Sequence, residues 1–138
     1  LKTNTLTGTS TAGSIAVTGE GNSTTTNLQQ GLAKAWATFN ATGTAATRDT
    51  FNVSGLTDNG TGDFSFAFSS NFATANAYVA GGLVAHSSSS DSTYTLRAYS
   101  SSTLTTSSAR MSMVYNTDSA QGVSDYAYGS TLMHGDLA

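Results

Sequence analysis

From residue 32 onward the chain alternates. Leu32, Lys34, Trp36 and Thr38 interleave with Ala33, Ala35, Ala37 and Phe39, a period of two that describes a strand and not a helix. Phe51 and Val53 share one face of the next run, and Phe64, Phe66 and Phe68 share one face of the run after it. Further β-like runs lie at residues 77–85, 93–99 and 109–115, with a last one near 126–133. The Gly, Ser and Asn clusters between them suit exposed turns. About six to eight short strands with no long helical pattern predict an all-β fold, an antiparallel β-sandwich over residues 31–138.

Residues 1–30 follow another pattern. Ile15 and Val17 make a short β-like patch amid Thr, Ser, Gly and Asn, with too little apolar area to fold alone. The segment reads as an extended N-terminal arm that must lean on another surface. Thr26 and Gln29 have capping-box spacing and Gly31 follows, which predicts one helical turn joining arm to sandwich.

The stretch Thr57-Asp58-Asn59-Gly60-Thr61-Gly62-Asp63 sits between two of the predicted strands. A calcium loop starting at Asp58 would need oxygen-bearing side chains at its third and fifth positions, where Gly60 and Gly62 stand. A hairpin needs only residues that adopt positive φ between alternating hydrophobics, and Asn59-Gly60 with Gly62 provides them. The motif is read as a turn joining the Phe51/Val53 strand to the Phe64 strand, with Asp58 and Asp63 as solvated turn residues.

Composition narrows the function classes. Ser and Thr make up 45 of the 138 residues, against five Lys and Arg, eight Asp and Glu, and a net charge of −3. Five scattered cations give little electrostatic purchase on phosphate, so nucleic acid is not an expected partner. With no cysteine, disulfides, thiolate metal sites and a Cys nucleophile are excluded. The longest apolar run, residues 77–85, is far below the roughly 20 residues of a membrane span. No membrane insertion and no signal peptide is read.

The search for catalytic groups finds weak patterns. His86, the serines Ser87 to Ser90 and Asp91 bring together residue types used in nucleophilic catalysis, but sequence proximity sets no geometry. Gly122-Val123-Ser124-Asp125-Tyr126 lacks the second glycine of a nucleophile elbow. The single Glu, Glu20, lies in the arm, so a glycosidase pair would have to come from turn-borne Asp residues. His134-Gly135-Asp136 is a lone pair without metal-ligand spacing. The chain is read as non-enzymatic, with no cofactor and no metal.

Trp36, with alanines on the opposite face of its strand, is assigned to the core or to a subunit interface. The tyrosines fit either strand packing or contact surfaces. Recognition is expected on the later loops, residues 86–91, 100–108 and 116–124, because loops held by a rigid scaffold carry function. The candidate receptor or subunit contacts are Ser87, Ser88, Ser89, Tyr94, Tyr99 and Tyr126.

Several stretches carry a resemblance. Leu1-Lys2-Thr3-Asn4-Thr5-Leu6, Ala12-Gly13-Ser14-Ile15-Ala16-Val17, Gly19-Glu20-Gly21, Gly31-Leu32-Ala33-Lys34-Ala35-Trp36, Asp49-Thr50-Phe51-Asn52-Val53-Ser54 and residues 57–63 resemble short tail-fibre and virion structural proteins of tailed bacteriophages, of the marine and cyanobacterial phage type. The resemblance covers residues 1–85 and fades beyond them. It implies a non-enzymatic β-sandwich on the virion, a homotrimeric tail-fibre or receptor-binding module whose arm reaches other virion proteins, with a host surface glycan or protein as a further partner. A capsid-decorating or fibre-lattice subunit without a receptor role is the second expectation, and a polysaccharide-degrading enzyme the third. Trimerisation is expected through the arm and through exposed small residues, Ala33, Ala35 and Ala37.

Overall fold

The computed structural model describes residues 5–8, 15–19, 24–85, 93–100, 104–117 and 119–138. The chain divides into two compact units, Leu1–Leu32 and Ala33–Ala138.

In the first unit, β1 (Ala16–Thr18) and β2 (Thr25–Asn27) pair antiparallel and lead into one helical turn, α1 (Leu28–Gly31). The cap of that turn is Asn27 and not Thr26: Asn27 Oδ1 accepts a hydrogen bond from Gln29 N at 2.8 Å, satisfying an amide that has no partner within the turn. Val17 stays half exposed, as the scarcity of apolar residues in this segment requires.

The second unit is all-β and antiparallel. Its strands are β3 (Ala35–Asn40), β4 (Ala46–Phe51), β5 (Val53–Gly60), β6 (Asp63–Phe68), β7 (Val79–Ala85), β8 (Thr93–Ala98), β9 (Ser108–Asn116), β10 (Gln121–Val123) and β11 (Tyr128–His134). Hydrogen bonding joins them in the order β4-β3-β11-β7-β8-β9-β6-β5, with β10 added to β9. Two clearly separate sheets, as a sandwich would have, are not seen. The nine strands form one continuous sheet that curls into a nearly closed barrel. The curl is measured by Phe39 of β3, whose ring lies 5.5 Å from Phe64 and 5.1 Å from Phe66 of β6, although four strands separate β3 from β6 along the hydrogen-bonded path.

Asn52 explains why the sheet need not break. Phe51 and Val53, read as one strand from their spacing, belong to the two end strands of the sheet, and Asn52 between them takes φ 54°. A left-handed residue at this point turns the chain from β4 to β5, and Asn tolerates that conformation better than most residues. Phe51 is exposed while Val53 packs against the core.

The interior is lined by Ala35, Ala37, Phe39, Phe64, Phe66, Leu96, Ala109, Met111, Met113 and Met133, all buried. The core face of β3 is therefore its alanine face. Ala35 and Ala37 are 0% and 1% exposed, so they cannot offer the small-residue contact surface expected of them, and Trp36 points away from the core. Room decides this. The Phe39 ring fills so much of the interior that a Cβ at Gly129, its cross-strand neighbour on β11, would meet it at 2.6 Å, so that position is left to a hydrogen alone and a tryptophan on this face would find no room.

A second aromatic cluster closes one end. Phe72 stacks on Tyr78 at 4.1 Å, and Phe68 packs edge-on against Phe72 at 4.9 Å. Tyr78 Oη donates to the carbonyl oxygens of Thr105 at 3.0 Å and Ser108 at 3.1 Å, pinning the described part of the loop before β9. Phe68 N and Phe72 N donate to Ser107 O and Thr106 O, both at 2.8 Å. Residues 104–108 are thus bound into the body of the barrel.

Candidate functional site

The sequence-selected residues separate in space. Ser87, Ser88 and Ser89 lie outside the described residues, as do His86 and Asp91. Tyr94 and Tyr126 come together, their rings perpendicular with centroids 5.1 Å apart. Tyr115 joins them as the cross-strand partner of Tyr94. Burial raises the Tyr126 phenol above its ordinary pKa, against the opposing effect of a hydrogen bond from Ser124. Tyr126 O also accepts from Ala41 N at 3.1 Å, so this tyrosine group belongs largely to the closure of the barrel end.

Tyr99 stands apart on the outer surface beneath Arg110, whose guanidinium carbon is 4.3 Å from the ring centroid. Arg110 Nε donates to Asp63 Oδ1 at 2.8 Å, and its Nη2 completes a bidentate pair with Asp63 Oδ2. Asp63 is therefore not a solvated turn residue: it is buried and ion-paired. The hydrogen bond from Arg110 lowers its pKa, outweighing the opposing effect of burial, with the guanidinium charge and Asn59 adding to the lowering. Asp58 Oδ1 accepts from Gly60 N at 2.9 Å, as a turn carboxylate does. The Asp-Asn-Gly motif forms the β5–β6 hairpin, and its tip is docked: Gly62 N donates to Asp125 Oδ1 at 2.6 Å and Gly62 O accepts from Met113 N at 2.8 Å. Both carboxylates of the motif are committed to protein donors.

Beside this cluster the outer face of β8, β9 and β10 forms a shallow groove of about 440 Å³. Residues 116–124, expected as a loop, contain the strand β10, and its pairing creates the groove. Cross-strand register aligns Thr93, Asn116 and Gln121 in one row, and Thr95, Val114 and Val123 in the next. Side chains opposite one another in register share a face, so hydroxyl and amide groups stand beside an apolar strip, with exposed Arg97 at its end. Such a surface can hydrogen-bond a polyhydroxylated or amide-bearing ligand while its valines cover a C–H face. Only the register of β10 on β9 assembles it, which is why no single stretch of sequence advertised it.

The opposite half of the outer surface is apolar. Register places Phe51, Trp36, Leu132 and Gly81 in one row across β4, β3, β11 and β7. Around that row Val79 is 72% exposed, Leu83 74% and Tyr128 60%. A groove of about 560 Å³ runs along it, between Trp36, Leu83 and Leu132. The Trp36 environment thus rejects the core and keeps the interface among the two places assigned from sequence.

Among the described residues, no three His, Cys, Asp or Glu side chains cluster in a way that could hold a metal ion. Comparison with protein-family models, curated proteins and solved structures finds no match for this chain.

Proposed function

We propose that this chain is a non-enzymatic, fibre-type structural protein of a tailed-bacteriophage virion, a homotrimeric tail-fibre or receptor-binding module. The observation that carries the reading is the division of the barrel's outer surface into a polar, nearly uncharged half and an apolar half. A subunit built to sit among copies of itself while facing the medium needs both, whereas an isolated enzyme domain has no use for the exposed apolar half. The particle comes from the resemblance of residues 1–85 to short tail-fibre and virion proteins. In this reading the curled sheet serves as a flattened β-sandwich, the first 32 residues link the module to other virion proteins, and the groove of Thr93, Asn116, Gln121 and Arg97 meets a host surface glycan or protein.

The test is immunogold labelling of phage particles with antibody raised against the purified chain, together with competition of adsorption by that chain. Label at the tail and a dose-dependent fall in adsorption are expected. Uniform label over the head with no competition would replace the reading with the capsid-decorating one, and release of reducing sugar from host polysaccharide would replace it with an enzyme.

A further inference from the structure

We infer that the outer face of β4, β3, β11 and β7 is the self-association surface, and that its occupant is a second copy of this chain. The inference rests on the structural-subunit reading above and adds to it the location of the contact.

Area is the first reason. Phe51, Val79, Leu83, Tyr128 and Leu132 are each between 46% and 74% exposed. Together they leave on the order of 500 Å² of mostly apolar surface on one face of the sheet, at the upper end of what a monomeric protein exposes. With Thr38 and Ser130, which the register sets between Tyr128 and Leu132, and His134 beside Val79, the face approaches the roughly 800 Å² per partner of a stable interface. Water contact with so much apolar surface is unfavourable in proportion to area, and association removes it.

Charge is the second. The middle of the face carries no charged side chain, and its β4 border holds one of each sign: Arg48, stacked 4.4 Å over the Tyr128 ring, and Asp49, cross-strand from Thr38. A face that is neutral overall does not repel its own copy, whereas a strongly charged partner would gain little from it.

Shape is the third. The row Phe51, Trp36, Leu132, Gly81 runs from two large aromatic rings at one end to a glycine at the other. A Cβ at Gly81 would touch nothing within 4 Å, so the row ends in a notch flanked by the projecting Val79 and Leu83. Projection and notch on one face complement each other when copies meet, the aromatic end of one chain entering the glycine end of the next.

The test uses the full chain and reads mass by light scattering, secondary structure by circular dichroism and the emission of Trp36, the only tryptophan in the chain. The wild type is expected as an oligomer at micromolar concentration, with blue-shifted emission that moves red on dilution. Leu83→Asp is expected to weaken association at least tenfold and to shift emission red without changing the dichroism, while Thr95→Asp on the polar half leaves mass and emission unchanged. Should Leu83→Asp fail to fold, Gly81→Arg decides, because its side chain enters open space in the isolated chain and blocks only the contact. An oligomer that survives Leu83→Asp or Gly81→Arg with wild-type affinity overturns this location and leaves the structural-subunit reading standing. A wild-type monomer with red emission overturns self-association altogether. A monomer with concentration-independent blue emission means that a segment of the same chain covers the face, which also overturns the inference.

Discussion

Asn52 closes on Ser70 from both directions: its Nδ2 donates to Ser70 O at 3.0 Å and its Oδ1 accepts from Ser70 N at 2.6 Å. The same Nδ2 donates to Lys34 O at 2.9 Å. One carboxamide thereby ties the start of β3, the turn between β4 and β5, and the end of β6, where the two free edges of the sheet come nearest to meeting. Replacing Asn52 with Ala removes all three bonds and leaves a positive-φ residue without its local support. A loss of about 2 kcal/mol is expected in urea unfolding. Asn52→Asp keeps the acceptor for Ser70 N but sets a carboxylate oxygen against the Lys34 and Ser70 carbonyls, so it should not recover the loss. Wild-type stability in the Ala variant would show that the closure is held elsewhere.

The Asp63–Arg110 pair makes the fold acid-sensitive. Because the folded-state pKa of Asp63 is depressed, its stabilisation is present above the ordinary carboxylate value of 3.8 and is lost as pH falls through the lower folded value. Melting temperature should decline below about pH 4, and Asp63→Asn should flatten that part of the curve. At neutral pH the Asn variant is expected to lose about 1 kcal/mol, a small figure because the pair is partly solvated. A variant whose acid profile overlays that of wild type would rule out this pair as the source.

Tyr78 works at the other end of the scale. Burial pushes its phenol up to about 12, so the stability that depends on the protonated phenol is complete below the ordinary value of 10 and disappears as pH rises from 10 through about 12. Tyr78→Phe should remove part of the alkaline melting transition and cost about 1 kcal/mol at neutral pH, by removing the phenol donor shared by the Thr105 and Ser108 carbonyls, of which Ser108 O keeps Thr105 as a donor. Spectrophotometric titration at 295 nm provides the direct check. Six tyrosines all titrating near 10 would contradict it.

Two glycines of the β5–β6 hairpin should respond differently. Gly60, at φ 132°, has open space where a Cβ would stand, so Gly60→Val is limited to backbone strain, about 1–3 kcal/mol. Gly62, at φ 66°, would also drive a Cβ to 2.7 Å from Val123 Cβ and 2.8 Å from Met113 O. Gly62→Ala should therefore cost about 2–4 kcal/mol despite adding a smaller side chain. The reverse order would mean that the hairpin tip is not docked on β9 and β10.

The same hairpin should melt identically with and without chelator, since Asp58 and Asp63 are occupied by Gly60 and Arg110. A chelator-induced fall in melting temperature that calcium reverses would overturn the turn reading in favour of a metal loop.

Local pattern carried much of the fold. Alternation at residues 33–39 and 64–68 is visible without coordinates because a strand's side chains point to opposite faces by covalent geometry alone. The Asn-Gly and Gly-Asp pairs marked the hairpin for a similarly local reason, the φ values its turn demands. These features made the chain all-β and antiparallel, and the scarcity of Lys and Arg made its surface nearly uncharged, whatever the topology.

Which face of each strand would be buried was not local. Period two marks out a face of Ala35, Ala37 and Phe39 and a face of Trp36 on β3, and the choice between them fell to the packing of Phe39 against Phe64 and Phe66 across the interior. Likewise Asp63 looked like a solvated turn residue because Arg110, 47 positions away, meets it only through the β6–β9 pairing. Asn52 looked like the middle of one strand because its left-handed conformation is tied to contacts with Lys34 and Ser70, each 18 residues distant. Sequence by itself determined most of the strands, the hairpin and the uncharged surface, since these follow from neighbouring residues, but not the break at Asn52 or the strand β10. Tertiary structure alone decided that one sheet curls on itself and that its outside is half apolar and half polar, since interior volume and long-range register select the face each strand hides.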